Sequence, residues 1–177
     1  QLQLKREAYT ILARSTCGMM GRSPDFLNVM LAALAAKRSF FAELSSERAD
    51  AIVNYYQFVA RNDLFLTHAL LDPQLDKSKL RHEQSDPAIC LRVIDRTAEG
   101  LIVHGIKRIA TAAPYADEIL VWPFPPSFQP GEEAHANVFA IPMNTPGLKV
   151  LCRPSFANPG ARHDHPLSSQ FDEMDAT

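Results

Sequence analysis

The sequence predicts an α+β fold in which the helices come first and the strands follow. Three observations carry that prediction. Apolar residues recur at helical spacing through the first third of the 177 residues, the pattern breaks after Asp63, and short strand-like runs separated by turns dominate from Cys90 onward. Helices and strands do not alternate, which argues against a doubly wound nucleotide fold.

The first helix covers Leu4 to Ala13, and Gly18 and Gly21 interrupt it. Ser23 suits an N-cap, Pro24 the first helical position and Asp25 the positive end of a helix dipole, so a second helix should run from Phe26 to about Ser39. It is almost without polar side chains and should be buried on most sides. A third helix begins at Ser45 or Ser46 and passes through Val53, Tyr56 and Val59 to about Asn62. The apolar segment Leu64 to Leu71, which contains Thr67 and His68, leads into the loop Asp72 to Lys77. Strand-like runs follow at Leu91–Arg96, Leu101–Ile109, Glu118–Trp122, Val138–Pro142 and Lys149–Arg153. Thr97-Ala98-Glu99-Gly100 should join the first two as a hairpin. The proline-rich stretch Pro123 to Pro130 is a loop, and a long connection follows Arg153.

Composition excludes several classes. With 46% hydrophobic and 21% charged residues the chain can build a core, so disorder is ruled out. The longest apolar run, Val29 to Ala36, is far shorter than the roughly 20 residues needed to span a bilayer, and the N-terminus lacks a signal-peptide pattern. A net charge of −2 with scattered Lys and Arg offers no stripe for nucleic acid. Cys17, Cys90 and Cys152 lie far apart, which favours a reducing cytoplasm over a disulfide framework. The chain opens on Gln1, as though inside a helix.

No hydrolase, nucleotide-phosphate, zinc-protease or dinucleotide string is present, but three places carry chemistry. Arg22 stands just before the apolar helix, where a guanidinium beside the N-terminus suits a phenolate or carboxylate; the alternatives are an interhelical ion pair or a surface Arg. His68 lies among apolar residues, which disfavour its cation, so it is either a neutral proton donor and acceptor near pH 7 or a core histidine satisfied by one backbone bond. His163-Asp164-His165 brings two imidazoles close without completing a ligand set, so a solvated loop is expected and no metal. No second cysteine near Cys17 supports an iron–sulfur site.

Five blocks in fixed order carry a resemblance: Gly21-Arg22-Ser23-Pro24-Asp25-Phe26-Leu27-Asn28; Thr67-His68-Ala69-Leu70-Leu71-Asp72-Pro73-Gln74-Leu75-Asp76-Lys77; Ala110 to Glu118; Phe139-Ala140-Ile141-Pro142 with Thr145 to Lys149; and His165 to Asp175. Together they resemble the oxygenase-component family of 4-hydroxyphenylacetate 3-monooxygenase, two-component enzymes that use reduced FAD. The resemblance implies an acyl-CoA-dehydrogenase-like subunit: a helical part at residues 1–63, a β-barrel-like middle domain at residues 64–177, and a C-terminal helical bundle absent from this sequence. It therefore implies an internal fragment, inactive by itself, of a subunit that forms a homotetramer.

The implied reaction is ortho-hydroxylation of a phenol such as 4-hydroxyphenylacetate to a catechol, with dioxygen as co-substrate, through a flavin C4a-hydroperoxide. A separate reductase supplies the reduced FAD. Arg22 and His68 match catalytic positions that polarise the phenolic oxygen, and Phe26 matches a substrate contact. Pro123 and Phe124 match a mobile segment that covers the substrate. His68, Ala69 and Leu70, the loop Gln74, Leu75, Asp76 and Lys77, and Thr111 match flavin contacts. The family often has Tyr where this chain has Phe26, so a hydrogen bond to the substrate is missing and the substrate stays open. Chlorophenol and natural-product hydroxylases of the same group are alternatives, as are acyl-CoA dehydrogenase or dehydratase relatives, whose CoA-thioester chemistry is of a different class.

Overall fold

The computed structural model describes residues 2–18, 25–73, 75–86, 88–124, 127–170, 172 and 176–177. The chain forms two compact units: Gln1–Phe65 with Pro154–Asp172, and Leu66–Arg153 with Glu173–Thr177.

The first unit is helical. Helix α1 (Leu2–Ser15) stops where Cys17 and Gly18 take positive φ (51° and 74°) and the Gly18 N–H closes back on the Ala13 carbonyl at 2.8 Å. The cap expected at Ser23 and Pro24 lies outside the described residues. Helix α2 (Phe26–Ala36) follows Asp25, whose carboxylate accepts from the Tyr9 hydroxyl. The expected single helix to Ser39 is broken at Lys37, whose N–H reaches only to the Leu34 carbonyl (3.1 Å), and a short α3 (Arg38–Ala42) follows. Burial on most sides of α2 is also corrected. Leu27 and Leu31 are its buried residues while Val29 is 51% exposed, because within this unit one stripe of α2 packs on the long helix that follows α3. That helix, α4 (Ser46–Asn62), begins as the sequence predicts: the Ser45 hydroxyl accepts from Arg48 N–H at 3.3 Å, and left-handed Asp63 (φ 51°) ends it. Asn28 ties α2 to the chain leaving α4 by donating to the Leu64 carbonyl at 2.9 Å. In the segment after Arg153, the Asp172 carboxylate accepts from the Ser155 hydroxyl (2.9 Å) and the Phe156 N–H (2.7 Å).

The second unit holds the strands. Leu66–Leu71 forms β1, Arg92–Thr97 β2, Gly100–His104 β3, Glu118–Phe124 β4 and Phe139–Pro142 β5. One sheet has the order β1-β4-β5, with β1 parallel and β5 antiparallel to β4, and β2 and β3 form the expected hairpin. Two sheets stand where a barrel-like domain was expected, and among the described residues no ladder closes them. The cause is local. The run expected as Leu101–Ile109 leaves extended geometry at Gly105 (φ 130°) and Ile109 (φ 60°), so between His104 and Ile109 only isolated bridges remain, Ile106 to Cys90 and Arg108 to Leu71, with Ala110 to Ala176 just beyond. Lys149–Arg153 likewise contributes a single bridge, Cys152 to Ala176, and no strand.

Alternation sorts the sheet into two faces. Ala69, Ile119 and Val121 bury against Ala110, Ala113 and Ala176, with Phe139, Ile141 and Val150 packed beside them. The small side chains at 69, 110 and 113 let the 109–113 turn lie close to the strands. The opposite face carries Leu66, His68, Glu118, Leu120 and Trp122. Among the described residues no helix is long and apolar enough to cross a membrane.

Candidate active site

His68 occupies the middle of β1, paired in register with Leu120 of β4. Its half-buried imidazole stands edge-on to the Trp122 ring, with centroids 6.4 Å apart and planes at 84°. Leu66 and Leu120, at 0% and 7% exposure, furnish the apolar surroundings that the sequence led us to expect. Glu118 is buried on the same face, paired in register with Leu66 two residues before His68.

The neighbouring strand residue fixes a second element. Thr67 is 1% exposed and points into the core, where its hydroxyl donates to the carbonyl of Thr111. Thr111 is itself buried, between left-handed Ile109 at one side and Ala112 at the other. A single side chain thus sets the 109–112 turn against β1. An apolar replacement would leave a buried carbonyl unsatisfied, at a cost of about 1–3 kcal/mol.

Because β1 and β4 run parallel, their C-terminal ends share one edge, and the register brings Leu71 beside Phe124. The loop at 72–77 leaves the sheet there, beside Pro123 and Phe124, which are the last residues of β4 where a loop was expected to have begun. Pro123 is buried and Phe124 is 50% exposed. Leu75 is half-buried, Asp76 and Lys77 are exposed, and Asp76 turns the loop by accepting from the Ser78 N–H (3.0 Å) and hydroxyl (2.6 Å). His68, Ala69, Leu70, Leu75, Asp76, Lys77, Thr111, Pro123 and Phe124 all belong to one unit, but Ala69 and Thr111 are buried on the core side of the sheet, opposite the face that carries His68. Phe26 begins α2 in the other unit, and Arg22 and Gln74 lie outside the described residues.

Sequence reasoning missed the charges beneath this edge. The Asp72 carboxylate accepts from Lys107 Nζ at 2.7 Å and Arg81 Nε at 2.8 Å, and Lys107 also donates to the Leu70 carbonyl at 3.0 Å. Arg108 donates through Nε to the Asp72 carbonyl (3.0 Å) and through its N–H to the Leu71 carbonyl (2.7 Å). Arg81 reaches on to Glu132 Oε1 at 3.3 Å, and its Cζ sits over the Phe128 ring, 5.3 Å from the centroid. These partners are up to 51 residues apart, so no local spacing announces them.

Burial alone would push the Asp72 carboxyl up, but the hydrogen bonds and charges of Lys107 and Arg81 outweigh it and hold the group below the usual carboxylate range. Glu132 is held low in the same way: burial raises it, while the N–H groups of Gln129 and Arg81 and the Arg81 charge lower it further than burial lifts it. Both carboxyls bind protons less readily folded than unfolded. Their stabilisation is complete above the unfolded value of about 4 and disappears as pH falls through the lower folded values. Trp122, the single tryptophan of the sequence, lies in β4 and reports on this unit. The midpoint of urea unfolding followed by Trp122 fluorescence should therefore fall with pH below about 4. Asp72→Asn should flatten that acid dependence while lowering the midpoint at neutral pH; an unchanged acid limb in the variant would refute the assignment.

Comparison with known proteins places this arrangement in a family. The chain is 42% identical over 177 residues to the oxygenase component of 4-hydroxyphenylacetate 3-monooxygenase from a Geobacillus strain, an alignment covering 99% of this chain and 36% of that protein. A crystal structure of such an oxygenase component complexed with FAD superposes with a TM-score of 0.81 at 40% identity, over 99% of this chain and 35% of that one. A second, complexed with FAD and 4-hydroxyphenylacetate, gives 0.79 at 41% identity over 98% of this chain and 36% of that one. The chain thus spans about a third of the length of the relatives it matches. The family model described as 4-hydroxyphenylacetate 3-hydroxylase N terminal matches residues 1–177, and the chain belongs to that family.

Proposed function

We propose that this chain is the N-terminal part of the oxygenase component of a two-component monooxygenase, which uses reduced FAD and dioxygen to hydroxylate a phenol beside its hydroxyl group. One observation carries the proposal: nearly the whole chain superposes, at about 40% identity, on a structure complexed with both FAD and 4-hydroxyphenylacetate. The chemistry of the residues supports it. A flavin ring calls for a flat apolar surface with donors and acceptors at its edge, and the sheet face around Leu120 and Trp122, with the imidazole of His68 and the loop at Leu75 to Lys77, supplies both kinds of group. His68, Ala69, Leu70, Gln74, Leu75, Asp76, Lys77 and Thr111 would hold the cofactor, which when bound and reduced supplies the activated oxygen.

The residues of the chain bind, orient and shield. His68 would take a hydrogen bond with the phenolic oxygen and, with Arg22, draw the phenol toward its phenolate, raising electron density at the ring carbon that must attack an electrophilic oxygen. Phe26 offers an apolar wall where a tyrosine hydroxyl would have bonded the substrate, which favours phenols whose far end is bound by other contacts. Pro123 and Phe124 would cover the ring and keep water from the reacting centre. A flavin reductase that supplies the reduced FAD and a homotetrameric assembly are the partners that go with this reading.

The test is anaerobic titration of the complete gene product with dithionite-reduced FAD, then admission of oxygen with 4-hydroxyphenylacetate or a chlorophenol. A catechol product is expected, and a protein that binds no reduced flavin would refute the proposal.

A further inference from the structure

Resting on the flavin reading above, we infer that Arg81 is a positioning residue that ties the flavin-facing loop at Leu75 to Lys77 to the segment at Phe128 to Glu132, so that cofactor engagement by the first orders the second.

The geometry is specific to a guanidinium. Arg81 uses two different nitrogens on two different carboxylates, Nε on Asp72 Oδ2 at 2.8 Å and a terminal nitrogen on Glu132 Oε1 at 3.3 Å, while its Cζ lies over the Phe128 ring, 5.3 Å from the centroid. Its backbone N–H also donates to Glu132 Oε1 at 3.0 Å. Asp72 opens the loop that contains Leu75 to Lys77, and Lys107 and Arg108 pin that opening to the end of β1. Glu132 closes the loop that leaves β4 past Phe124, and its second oxygen accepts from the Gln129 N–H at 3.1 Å. Gln84 completes the frame by donating to the Asp76, Lys79 and Leu80 carbonyls and accepting from the Asp76 N–H. The side chains of Arg81, Asp72 and Glu132 are 13%, 12% and 3% exposed, so the link is drier than a surface ion pair, and removing one member strands a charge. Both loops leave the same edge of the sheet, where β1 and β4 end side by side. A shift of the flavin loop is thus transmitted through one rigid, planar group to the segment beyond Phe124.

The experiment is hydrogen exchange on the complete gene product, wild type, Arg81→Lys and Arg81→Met, with and without dithionite-reduced FAD. Arg81→Lys keeps the charge but replaces the planar fork, with its two nitrogens held apart, by one point-like ammonium that cannot reproduce both contacts and the Phe128 contact at once, so it carries the test even where Arg81→Met does not fold. In the wild type, reduced FAD should slow exchange at both Leu75–Lys77 and Phe128–Glu132. In Arg81→Lys, protection should persist at Leu75–Lys77 and vanish at Phe128–Glu132, with exchange at Leu120 and Val121 unchanged. Product formed per flavin oxidised should fall about tenfold as hydrogen peroxide rises, within the penalty of about 10²-fold for a misplacement of about 1 Å. Protection of Phe128–Glu132 retained in the variant, or absent there in a wild type whose Leu75–Lys77 is protected, overturns the link alone. No protection at either segment of the wild type overturns the flavin reading and the inference with it.

Discussion

His68→Ala, in the complete gene product, is expected to lower the rate of hydroxylated product at least about 10²-fold, the usual contribution of a positioned proton donor or acceptor, while flavin oxidation continues and hydrogen peroxide accumulates. The imidazole is held in the middle of a paired strand, edge-on to Trp122 and level with buried Leu120, so removing it deletes a functional group without breaking the β1–β4 ladder. Retained flavin binding with lost coupling is the signature of a group that acts on the phenol. Product yield per reduced flavin, measured alongside peroxide release, decides it. An unchanged yield would mean that His68 is a core histidine, and equal loss of flavin binding and product would mean that its role is confined to the cofactor.

Gly105→Ala is expected to cost about 3–5 kcal/mol, a large share of the 5–15 kcal/mol typical of a domain. At φ 130° the backbone there is closed to an L side chain, and an added Cβ would sit 2.5 Å from both the Leu91 N and Cα and 2.6 Å from the Cys90 carbonyl carbon. These are backbone atoms, which cannot rotate away. The contact exists because Ile106 bonds back to the Ile89 carbonyl at 3.0 Å and drives residues 105 and 91 together. Urea unfolding of the chain followed by Trp122 fluorescence measures the loss, and a shift corresponding to less than about 1 kcal/mol would refute the close approach.

How much of this was legible in the sequence depended on how local the cause was. The α4 start at Ser45 follows from a hydroxyl three residues before its partner, and the β2–β3 hairpin from a four-residue turn; both causes are contained in a few adjacent residues. The break at Lys37 was not legible, since Arg38, Ser39 and Phe40 are all acceptable helix residues and the short α3 is held instead against α4, where Arg38 meets Asp50 at 2.7 Å. The overextended Leu101–Ile109 run shows the same limit. Its residues favour strands, but the neighbours at Cys90 and Leu71 accept only single bridges.

The candidate site divides along the same line. His68, Ala69 and Leu70 are consecutive, so the sequence alone determined that they would travel together; that the apolar segment is a strand, with His68 facing away from Thr67 and Ala69, was decided by its pairing with β4. It also determined, through the ordered blocks, the family to which the chain belongs. What only the tertiary structure decided is the set of pairings across long sequence gaps: Thr67 with Thr111, Trp122 with His68, and Asp72 and Glu132 on either side of Arg81. The physical reason is that periodicity records which way a side chain points, whereas its partner is chosen by register and by chain reversals such as the one at Gly105. Those depend on the free energy of the whole packed unit and leave no mark within a few residues of either member.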